Sequence, residues 1–441
     1  MLDAPVSLQE PVFAGIEPQF RPVAEFLARE GHTLPEPGNS LDIFLFGRPK
    51  FAALLQDLER AQSTIDMEYY RFSADSIATQ VRDMLIRKAA EGVVVRVILE
   101  AHSNSYAPSF YNQLKRAPGV SVVEVEPTNN WVGNLLVRDH RKLVVIDGKI
   151  GYSGGMNVQD RYHTIWRDTH VRVTGPVVRS YQSLFDSAWR MFGGPQRAVP
   201  APAAVPVQEV VPAPAVVPAP AVVPAPATWA PAAVPPAAVS PTAGAHSVPA
   251  SGAATGPSAD TAIMQLVGDG PDSPVHILRD GLEQALSRAQ EYFYIQNPYF
   301  CPPESTLQAL VDAAARGVDV QMMIPDTQDV IFMLWTNHHF YERLLRGGVR
   351  IFERSGTFMH SKTFVTDDYL SCIGSANIDN RSYNINYENN LYIYDKEVAL
   401  RCRAIYEKDM ETSREITLAD LRFPLWDLYM QKLMMLAAPQ L

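Results

Sequence analysis

A histidine, a lysine and an aspartate recur with identical spacing in the two halves of the chain. The two sets are His140-x-Lys142-x4-Asp147 and His360-x-Lys362-x4-Asp367. An imidazole can attack phosphorus or donate a proton near neutral pH, and a lysine can neutralise phosphoryl oxygens. Each set therefore supplies half of what phosphodiester cleavage needs. Two sets related by a pseudo-two-fold axis predict one shared reaction centre.

The agreement between the halves extends well past this motif. Small residues, an asparagine and an acid follow each histidine at matched offsets: Gly154, Gly155, Asn157 and Asp168 in the first half, and Gly374, Ser375, Asn377 and Glu388 in the second. A register of this length indicates an internal repeat.

The matched residues have distinct expected roles. A carboxylate that accepts the Nδ1 proton fixes the tautomer of an imidazole, so Asp168 and Glu388 are predicted to orient the histidines. Amide hydrogens and a closely approaching backbone suit phosphate oxygens, so we predict four phosphate-binding residues: Asn157, Asn377, Gly155 and Ser375. Asp147 and Asp367 begin the turns after the motif segments, where they are expected to anchor structure or to pair with the lysines.

Two histidines suggest a double displacement. One imidazole attacks phosphorus and forms a phosphohistidine while the other protonates the departing alkoxide, and the roles reverse when an acceptor attacks. The near symmetry of the repeat does not decide which histidine attacks, and our choice is His140. The motifs lack the carboxylate clusters of a magnesium site, so no metal and no other cofactor is predicted.

The composition limits the classes of function. The chain has 441 residues, a hydrophobic fraction of 47% and a net charge of −10. This acidic balance is not typical of nucleic-acid binding, so no nucleic-acid partner is expected. The sequence shows no apolar run of about 18 residues and no signal peptide. It therefore predicts a cytoplasmic protein without a membrane span.

A proline- and alanine-rich segment, here called the linker, separates the two halves at residues 199–258. It carries one formally charged residue, Glu209, and repeats Val-Val-Pro-Ala-Pro-Ala three times over 210–227. Dense proline removes backbone donors and favours polyproline II, which predicts disorder. We interpret the linker as a tolerated insertion, with a tether or a partner-binding segment as alternatives. The predicted units are an N-terminal arm (1–37), the first lobe (38–198), the linker, and the second lobe with a C-terminal helix (259–441).

Alternating strand and helix patterns predict an α/β fold in both lobes. The expected βαβ elements are Thr64–Tyr70, Ser76–Glu91 and Val93–Leu99 in the first lobe, and Tyr292–Asn297, Ser305–Arg316 and Val318–Ile324 in the second. The motif segments 137–146 and 358–366 are also expected to be strands. In a strand, each histidine and the lysine two residues later project from one face.

These residues resemble the phospholipase D superfamily, whose defining pattern is a duplicated His-x-Lys-x4-Asp. Within it the chain is most similar to bacterial cardiolipin synthases. The stretches that carry this resemblance are Arg138-Asp139-His140-Arg141-Lys142, Gly154-Gly155-Met156-Asn157, Trp166-Arg167-Asp168-Thr169-His170, Asn297-Pro298-Tyr299-Phe300, Met359-His360-Ser361-Lys362 and Ile373-Gly374-Ser375-Ala376-Asn377. The resemblance runs from about Gly38 onward. It does not include the linker, nor the membrane-spanning hairpins with which many of these synthases begin.

The resemblance implies two α-β-α sandwich lobes with the active site between them. It also implies that the catalytic set is His140, Lys142, Asp147, His360, Lys362 and Asp367. The expected reaction transfers a phosphatidyl group from phosphatidylglycerol to the hydroxyl of a second phosphatidylglycerol and releases glycerol.

The acceptor stays open at this point, because pocket walls and water exclusion select it. Water would make the protein a phospholipase D. Another leaving group would make it a nuclease, which the acidic composition disfavours. A non-catalytic lipid-binding scaffold is the third alternative, although intact histidines and lysines argue against it. Without a span, the protein is expected to be peripheral to the inner membrane, and 330–335 and 425–436 are either interfacial segments or core.

Overall fold

The computed structural model describes residues 10–125, 137–195 and 262–436. The predicted linker at 199–258 lies outside these ranges. Both lobes are mixed α/β, as predicted, and strands and helices alternate along each of them.

The helices and strands have the following bounds. The helices are α1 (Arg21–Gly31), α2 (Gly47–Arg60), α3 (Ser76–Ala90), α4 (Pro108–Arg116), α5 (Asp160–Thr164), α6 (Val178–Met191), α7 (Ile277–Arg288), α8 (Glu304–Ala315), α9 (Ile331–Arg346), α10 (Asn380–Asn384), α11 (Lys396–Met410) and α12 (Leu425–Met435). The strands are β1 (Glu36–Phe46), β2 (Thr64–Tyr69), β3 (Val94–Glu100), β4 (Val120–Val125), β5 (Lys142–Ile146), β6 (Ile150–Gly154), β7 (Arg167–Thr174), β8 (Ala262–Asp269), β9 (Tyr292–Gln296), β10 (Phe300–Cys301), β11 (Asp319–Pro325), β12 (Arg350–Arg354), β13 (Thr363–Thr366), β14 (Leu370–Gly374), β15 (Ile378–Asp379), β16 (Glu388–Tyr394) and β17 (Ser413–Ile416).

One sheet runs through both lobes and carries the internal repeat. Its strand order is β17-β12-β11-β9-β13-β14-β16-β8-β1-β7-β6-β5-β2-β3-β4. Outward from the antiparallel β8–β1 pair, the order in one lobe repeats that in the other, with β7 matching β16, β6 matching β14, β5 matching β13 and β2 matching β9. The two lobes are therefore related by a pseudo-two-fold axis at the β8–β1 pair.

The predicted βαβ units are confirmed in both lobes. Their strands and helices begin and end within one residue of the expected bounds. After each crossover helix, Gly92 and Gly317 adopt positive φ angles of 96° and 93°. A glycine ends a helix in this conformation at low steric cost.

A shared core joins the two lobes. Period-2 alternation sends Val144 and Ile146 of β5 to the face covered by α2 and α3, and Leu143 and Val145 to the opposite face. On that opposite face, first-lobe strands and α6 pack in one cluster with second-lobe residues such as Ile393 of β16. The lobes therefore bury apolar surface against each other and not only within themselves.

The N-terminal arm packs into the second lobe. Val23, Ala24 and Leu27 of α1 are fully buried in the same cluster as Leu278 and Leu282 of α7. Among the residues that the structure describes, no helix is both long and apolar enough to cross a membrane.

The motif segments differ from the strands that the sequence predicts. β5 begins at Lys142 and β13 at Thr363, so both histidines precede their strands. The backbone around each histidine instead forms a short parallel bridge to the other lobe, between Asp139 and Tyr387 and between Met359 and Arg167. Near each histidine, backbone hydrogen bonds to the other lobe take the place of the strand pairing that the sequence predicted.

Candidate active site

Each histidine is oriented by the acid of the opposite lobe. His140 Nδ1 lies 2.8 and 3.0 Å from the two carboxylate oxygens of Glu388. His360 Nδ1 lies 2.9 Å from Asp168 Oδ2. Both acids are fully buried. The sequence predicted the orienting role, and the structure adds that each pair crosses the boundary between the lobes.

Backbone bridges hold these crossed pairs in place. The amide of His140 donates to the Tyr387 carbonyl at 2.9 Å, and the amide of Tyr387 donates to the Arg138 carbonyl at 2.8 Å. At the pseudo-equivalent position, His360 donates to the Arg167 carbonyl at 2.7 Å. Because Tyr387 and Arg167 immediately precede the two acids, each histidine and its carboxylate partner are fixed by adjacent peptide groups.

Small residues let the carboxylates reach their positions. A Cβ on Gly155 would lie 2.1 Å from Asp168 Oδ1, closer than two heavy atoms can approach. At the matching position, the Ser375 hydroxyl donates to Glu388 Oε2 at 2.6 Å. Gly155 and Ser375 thus lie against the acids, and direct phosphate contact by these two residues stays a prediction.

Both motif lysines are buried beside their histidines. The ammonium group of Lys362 donates to the His360 carbonyl at 2.6 Å and lies 3.1 Å from His360 Nδ1. Lys142 donates to the His140 carbonyl in the same way. Burial lowers the pKa of Lys142 to about 7 and that of Lys362 to about 8. An incoming phosphodiester supplies the negative charge that favours their protonated forms.

The motif asparagines face the space between the histidines. Asn157 donates to the Tyr162 hydroxyl at 3.0 Å and accepts the Arg71 amide at 3.2 Å. The Oδ1 atom of Asn377 is buried without a hydrogen-bond partner in the described part of the chain. Both asparagines line the cavity that also contains the two imidazoles, and their contact with a phosphate stays a prediction.

The motif aspartates hold turns at the outer ends of the motif strands. Asp147, at φ 53°, accepts the amides of Ser63 and Thr64 at 2.7 and 2.9 Å, and Asp367, at φ 50°, accepts the amide of Tyr292 at 3.0 Å. Each carboxylate thus caps the start of the neighbouring strand, β2 or β9. This geometry supports the anchoring role over contact with the reacting atoms.

A cavity of about 420 Å³ opens between the lobes at the two histidines. Sequence reasoning did not assign a role to the arginines that line it, which are Arg71, Arg138, Arg161 and Arg381. The sequence could have identified two of these arginines as site residues. Arg138 lies two residues before His140, and Arg71 follows the carboxyl end of β2, where ligands bind in parallel sheets. In the described residues, no cluster of three or more His, Cys, Asp or Glu side chains is placed to hold a metal ion.

The surroundings of the two histidines are not symmetric. The rings of Trp166, Tyr299 and Phe358 lie 5.5, 5.8 and 6.0 Å from the His360 ring. The motif offset places Asn386 and Arg138 at the positions equivalent to Trp166 and Phe358. Alignment of β2 with β9, which begin at Thr64 and Tyr292, places Arg71 at the position equivalent to Tyr299. Three aromatic side chains therefore flank His360 where polar or cationic residues take the corresponding positions near His140, although His140 has the Tyr70 ring at 4.8 Å.

Comparisons with known proteins identify the family of the chain. A family profile described as "Cardiolipin synthase, PLD-like domain" matches residues 54–189 and 282–410, one segment for each lobe. The major cardiolipin synthase ClsA of Bacillus subtilis (strain 168) is 32% identical over 412 residues, which are 91% of this chain and 75% of that protein. The cardiolipin synthase of Oceanobacillus iheyensis is 35% identical over 387 residues, 86% of this chain and 70% of that protein.

The chain belongs to the cardiolipin synthase family of the phospholipase D superfamily. It is therefore a phosphatidyltransferase of phospholipid synthesis. Solved structures support the fold: phosphatidylserine synthase from Haemophilus influenzae Rd KW20 matches with a TM-score of 0.58 at 11% identity, covering 90% of this chain and 92% of that one. Polyphosphate kinase from Porphyromonas gingivalis matches with a TM-score of 0.52 at 12% identity, covering 89% and 52%.

The two orienting acids of this phosphatidyltransferase differ in ionisation. Burial opposes the charge of Glu388, but His140, Lys142 and the Ser375 hydroxyl outweigh it and hold the pKa of Glu388 below its usual value. Asp168 has less support, and burial raises its pKa to about 7 despite the charge of Lys362. Burial lowers the pKa of both histidines, that of His360 well below its usual value. At neutral pH Glu388 is therefore an anion beside a neutral His140, whereas Asp168 gains and loses a proton beside a neutral His360.

The anchoring role of the motif aspartates predicts a loss of stability on substitution. Asp147→Ala removes the acceptor for several backbone amides and should lower the free energy of unfolding by about 1–3 kcal/mol, measured by urea denaturation. Its kcat should fall less than about tenfold, far less than for a residue that acts as general acid or base. Asp83→Ala, on an exposed part of α3, is the matched control. Unchanged stability with lost turnover would instead place Asp147 in the catalytic set.

The lysine pKa values predict a basic limb in the pH profile. Because the pKa of Lys142 is about 7 and that of Lys362 about 8 in the free enzyme, both lose their charge as the pH rises through this range. The value of kcat/KM, which reports the free enzyme, should therefore decline above about pH 7–8. Lys142→Ala should lower kcat/KM throughout, whereas Lys149→Ala, on an exposed turn, should keep the wild-type profile. A kcat/KM that still rises at pH 9 would contradict this.

Proposed function

We propose that this enzyme makes cardiolipin from two molecules of phosphatidylglycerol and releases glycerol. The observation that carries the proposal is the pair of imidazoles in one cavity, each held at Nδ1 by a buried acid of the opposite lobe. With Nδ1 occupied, each ring presents Nε2 to the cavity. Two Nε2 atoms in one cavity suit a displacement in which one attacks phosphorus and the other moves a proton.

In the first step, Nε2 of His140 attacks the phosphorus of the donor lipid. A P–N bond forms, the bond from phosphorus to the terminal glycerol oxygen breaks, and His360 gives its proton to that oxygen, so glycerol leaves. In the second step, the hydroxyl of the acceptor phosphatidylglycerol loses its proton to His360 and attacks phosphorus. The P–N bond breaks, cardiolipin leaves, and both histidines return to their starting protonation states.

The unequal acids support this assignment of roles. Phosphorylation leaves a positive charge on the attacking imidazole, and the anionic Glu388 stabilises that charge on His140. The proton donor must instead hold a proton and release it at neutral pH. Burial lowers the pKa of His360 well below its usual value, so the neutral ring gives the proton on its Nε2, and Asp168, whose pKa is about 7, supplies a proton to Nδ1. Lys142 and Lys362 neutralise the phosphoryl oxygens in both steps.

The aromatic surroundings of His360 favour a lipid alcohol over water as the acceptor. In an in-line displacement, leaving group and acceptor occupy the side of phosphorus opposite His140, which is the side of His360. Trp166, Tyr299 and Phe358 enclose that side with apolar surface. These rings reduce the surface on which water can be held beside His360, whereas a glycerol headgroup displaces solvent and carries its own hydroxyl to phosphorus. The names of the cardiolipin synthase relatives point to the same acceptor.

Product analysis tests the acceptor. Purified enzyme with vesicles of phosphatidylglycerol should form cardiolipin and glycerol in equal amounts, followed by lipid mass spectrometry and an enzymatic glycerol assay. Phosphatidic acid in place of cardiolipin would make the protein a phospholipase D, and cleavage of an added oligonucleotide would make it a nuclease. Absence of turnover on every substrate would favour the scaffold alternative.

A substrate with an activated leaving group tests the roles of the histidines. The phosphatidyl ester of p-nitrophenol releases a group that needs no proton, so its cleavage bypasses the general acid. His360→Ala should therefore still release about one equivalent of p-nitrophenol in a burst and trap the phosphatidyl group on His140, while its turnover of phosphatidylglycerol falls by about 10²–10⁴-fold. His140→Ala should show no burst. The reverse pattern would exchange the two roles.

A further inference from the structure

The cavity accommodates lipid headgroups but not acyl chains. Its volume is about 420 Å³, within the range of sites for small molecules. Each acyl chain of a phospholipid spans about half of a hydrocarbon core that is ~30 Å thick, so two chains cannot enter beside the headgroup. The chains must therefore stay in the bilayer while the headgroup reaches the histidines. The mouth of the cavity must then meet the membrane surface.

Helix α9 connects the wall of this cavity to the C-terminal helix α12. Phe332 and Met333, in the first turn of α9, line the cavity. One turn further on, Trp335 Nε1 donates to Asp427 Oδ1 in the first turn of α12 at 3.2 Å. The beginning of α12 is thus hydrogen-bonded to a residue that lies two positions after Met333 of the cavity wall.

Helix α12 exposes an unusually apolar face. Leu425, Trp426, Tyr429 and Leu436 are 87%, 63%, 58% and 80% exposed. Positions 425, 428, 429, 432, 433 and 436 share one face of a helix, and every one of them is Leu or Tyr except Lys432. We name these six residues, with Trp426, the α12 face. A face of this composition would be buried if the helix served only to complete the core.

The composition of the α12 face fits an anionic bilayer. Trp and Tyr concentrate at the membrane–water interface, where their rings have one apolar and one polar end. Lys432 can lay its methylene groups along the apolar surface while its charge reaches the headgroups. Arg422, exposed just before the helix, adds a second positive charge. Phosphatidylglycerol, the proposed substrate, supplies the complementary negative charge.

We propose that the α12 face inserts into the interfacial region of an anionic phospholipid bilayer and brings the cavity mouth to the headgroups. The inference rests on the proposed function, because the acyl-chain argument requires a phospholipid substrate. It assigns a membrane-contact surface beside the cavity. A second copy of the chain is the other possible occupant of this face, and the test below separates the two.

The test compares binding and turnover in the full chain. Leu425→Gln/Trp426→Gln/Leu436→Gln should lower the fraction of protein that sediments with phosphatidylglycerol vesicles at least tenfold. Turnover of those vesicles should fall in parallel, and far more than turnover of short-chain phosphatidylglycerol dispersed as monomers. Trp426→Phe should retain binding. Leu400→Gln, an exposed leucine of α11, is the matched control and should behave like wild type. Circular dichroism checks that each variant is folded.

Other outcomes would contradict either the membrane role of the α12 face or the proposed synthesis of cardiolipin, and the two can be told apart. Wild-type binding and vesicle turnover in the triple variant would overturn the membrane role. So would a wild-type dimer that the triple variant dissociates, seen by analytical ultracentrifugation, without any change in vesicle binding. If wild-type protein turns over no phospholipid in any form and the variant still loses vesicle binding, the proposed reaction fails while the docking surface stands.

Discussion

The crossed hydrogen bonds between histidines and acids are the interaction on which the rest of the structure depends. His140 and Glu388 belong to different lobes, as do His360 and Asp168. Neither lobe alone therefore contains an oriented imidazole. This requirement explains why the lobes share one sheet and one core: two independent domains joined by a linker could not hold four side chains at hydrogen-bond distance with the required accuracy.

Burial of this site accounts for both its chemistry and its local sequence. Two lysines and two acids lie in the interior, where an unpaired charge is costly, so each charge depends on the others. Glycine at 155 gives Asp168 the space to reach His360, and serine at 375 donates to Glu388. This difference between the halves contributes to the lower pKa of Glu388. A repeat that is nearly symmetric in sequence thus produces two histidines with unequal partners.

Sequence reasoning reached the α/β class, the βαβ units and the acids, because offsets and periodicity are local properties of the chain. It did not reveal that the acids pair across the lobes, since equal offsets are compatible with pairing inside each lobe or between them. It also extended the motif strands back over the histidines. Val137 and Leu143 suit a strand, but the backbone near His140 bonds to Tyr387 of the other lobe, a partner that composition cannot indicate.

The walls of the cavity have diverged where the reaction centre has not. Both halves contain the histidine, lysine and asparagine, and the proposed two-step transfer uses an imidazole on each side of phosphorus. In that proposal the leaving group and the acceptor lie on one side only. Arg71 and Tyr299 occupy equivalent positions in the repeat, yet one is cationic and the other aromatic. Since the proposed phosphoryl chemistry is symmetric and acceptor selection is not, we infer that divergence of the walls lets a duplicated fold favour a lipid hydroxyl over water.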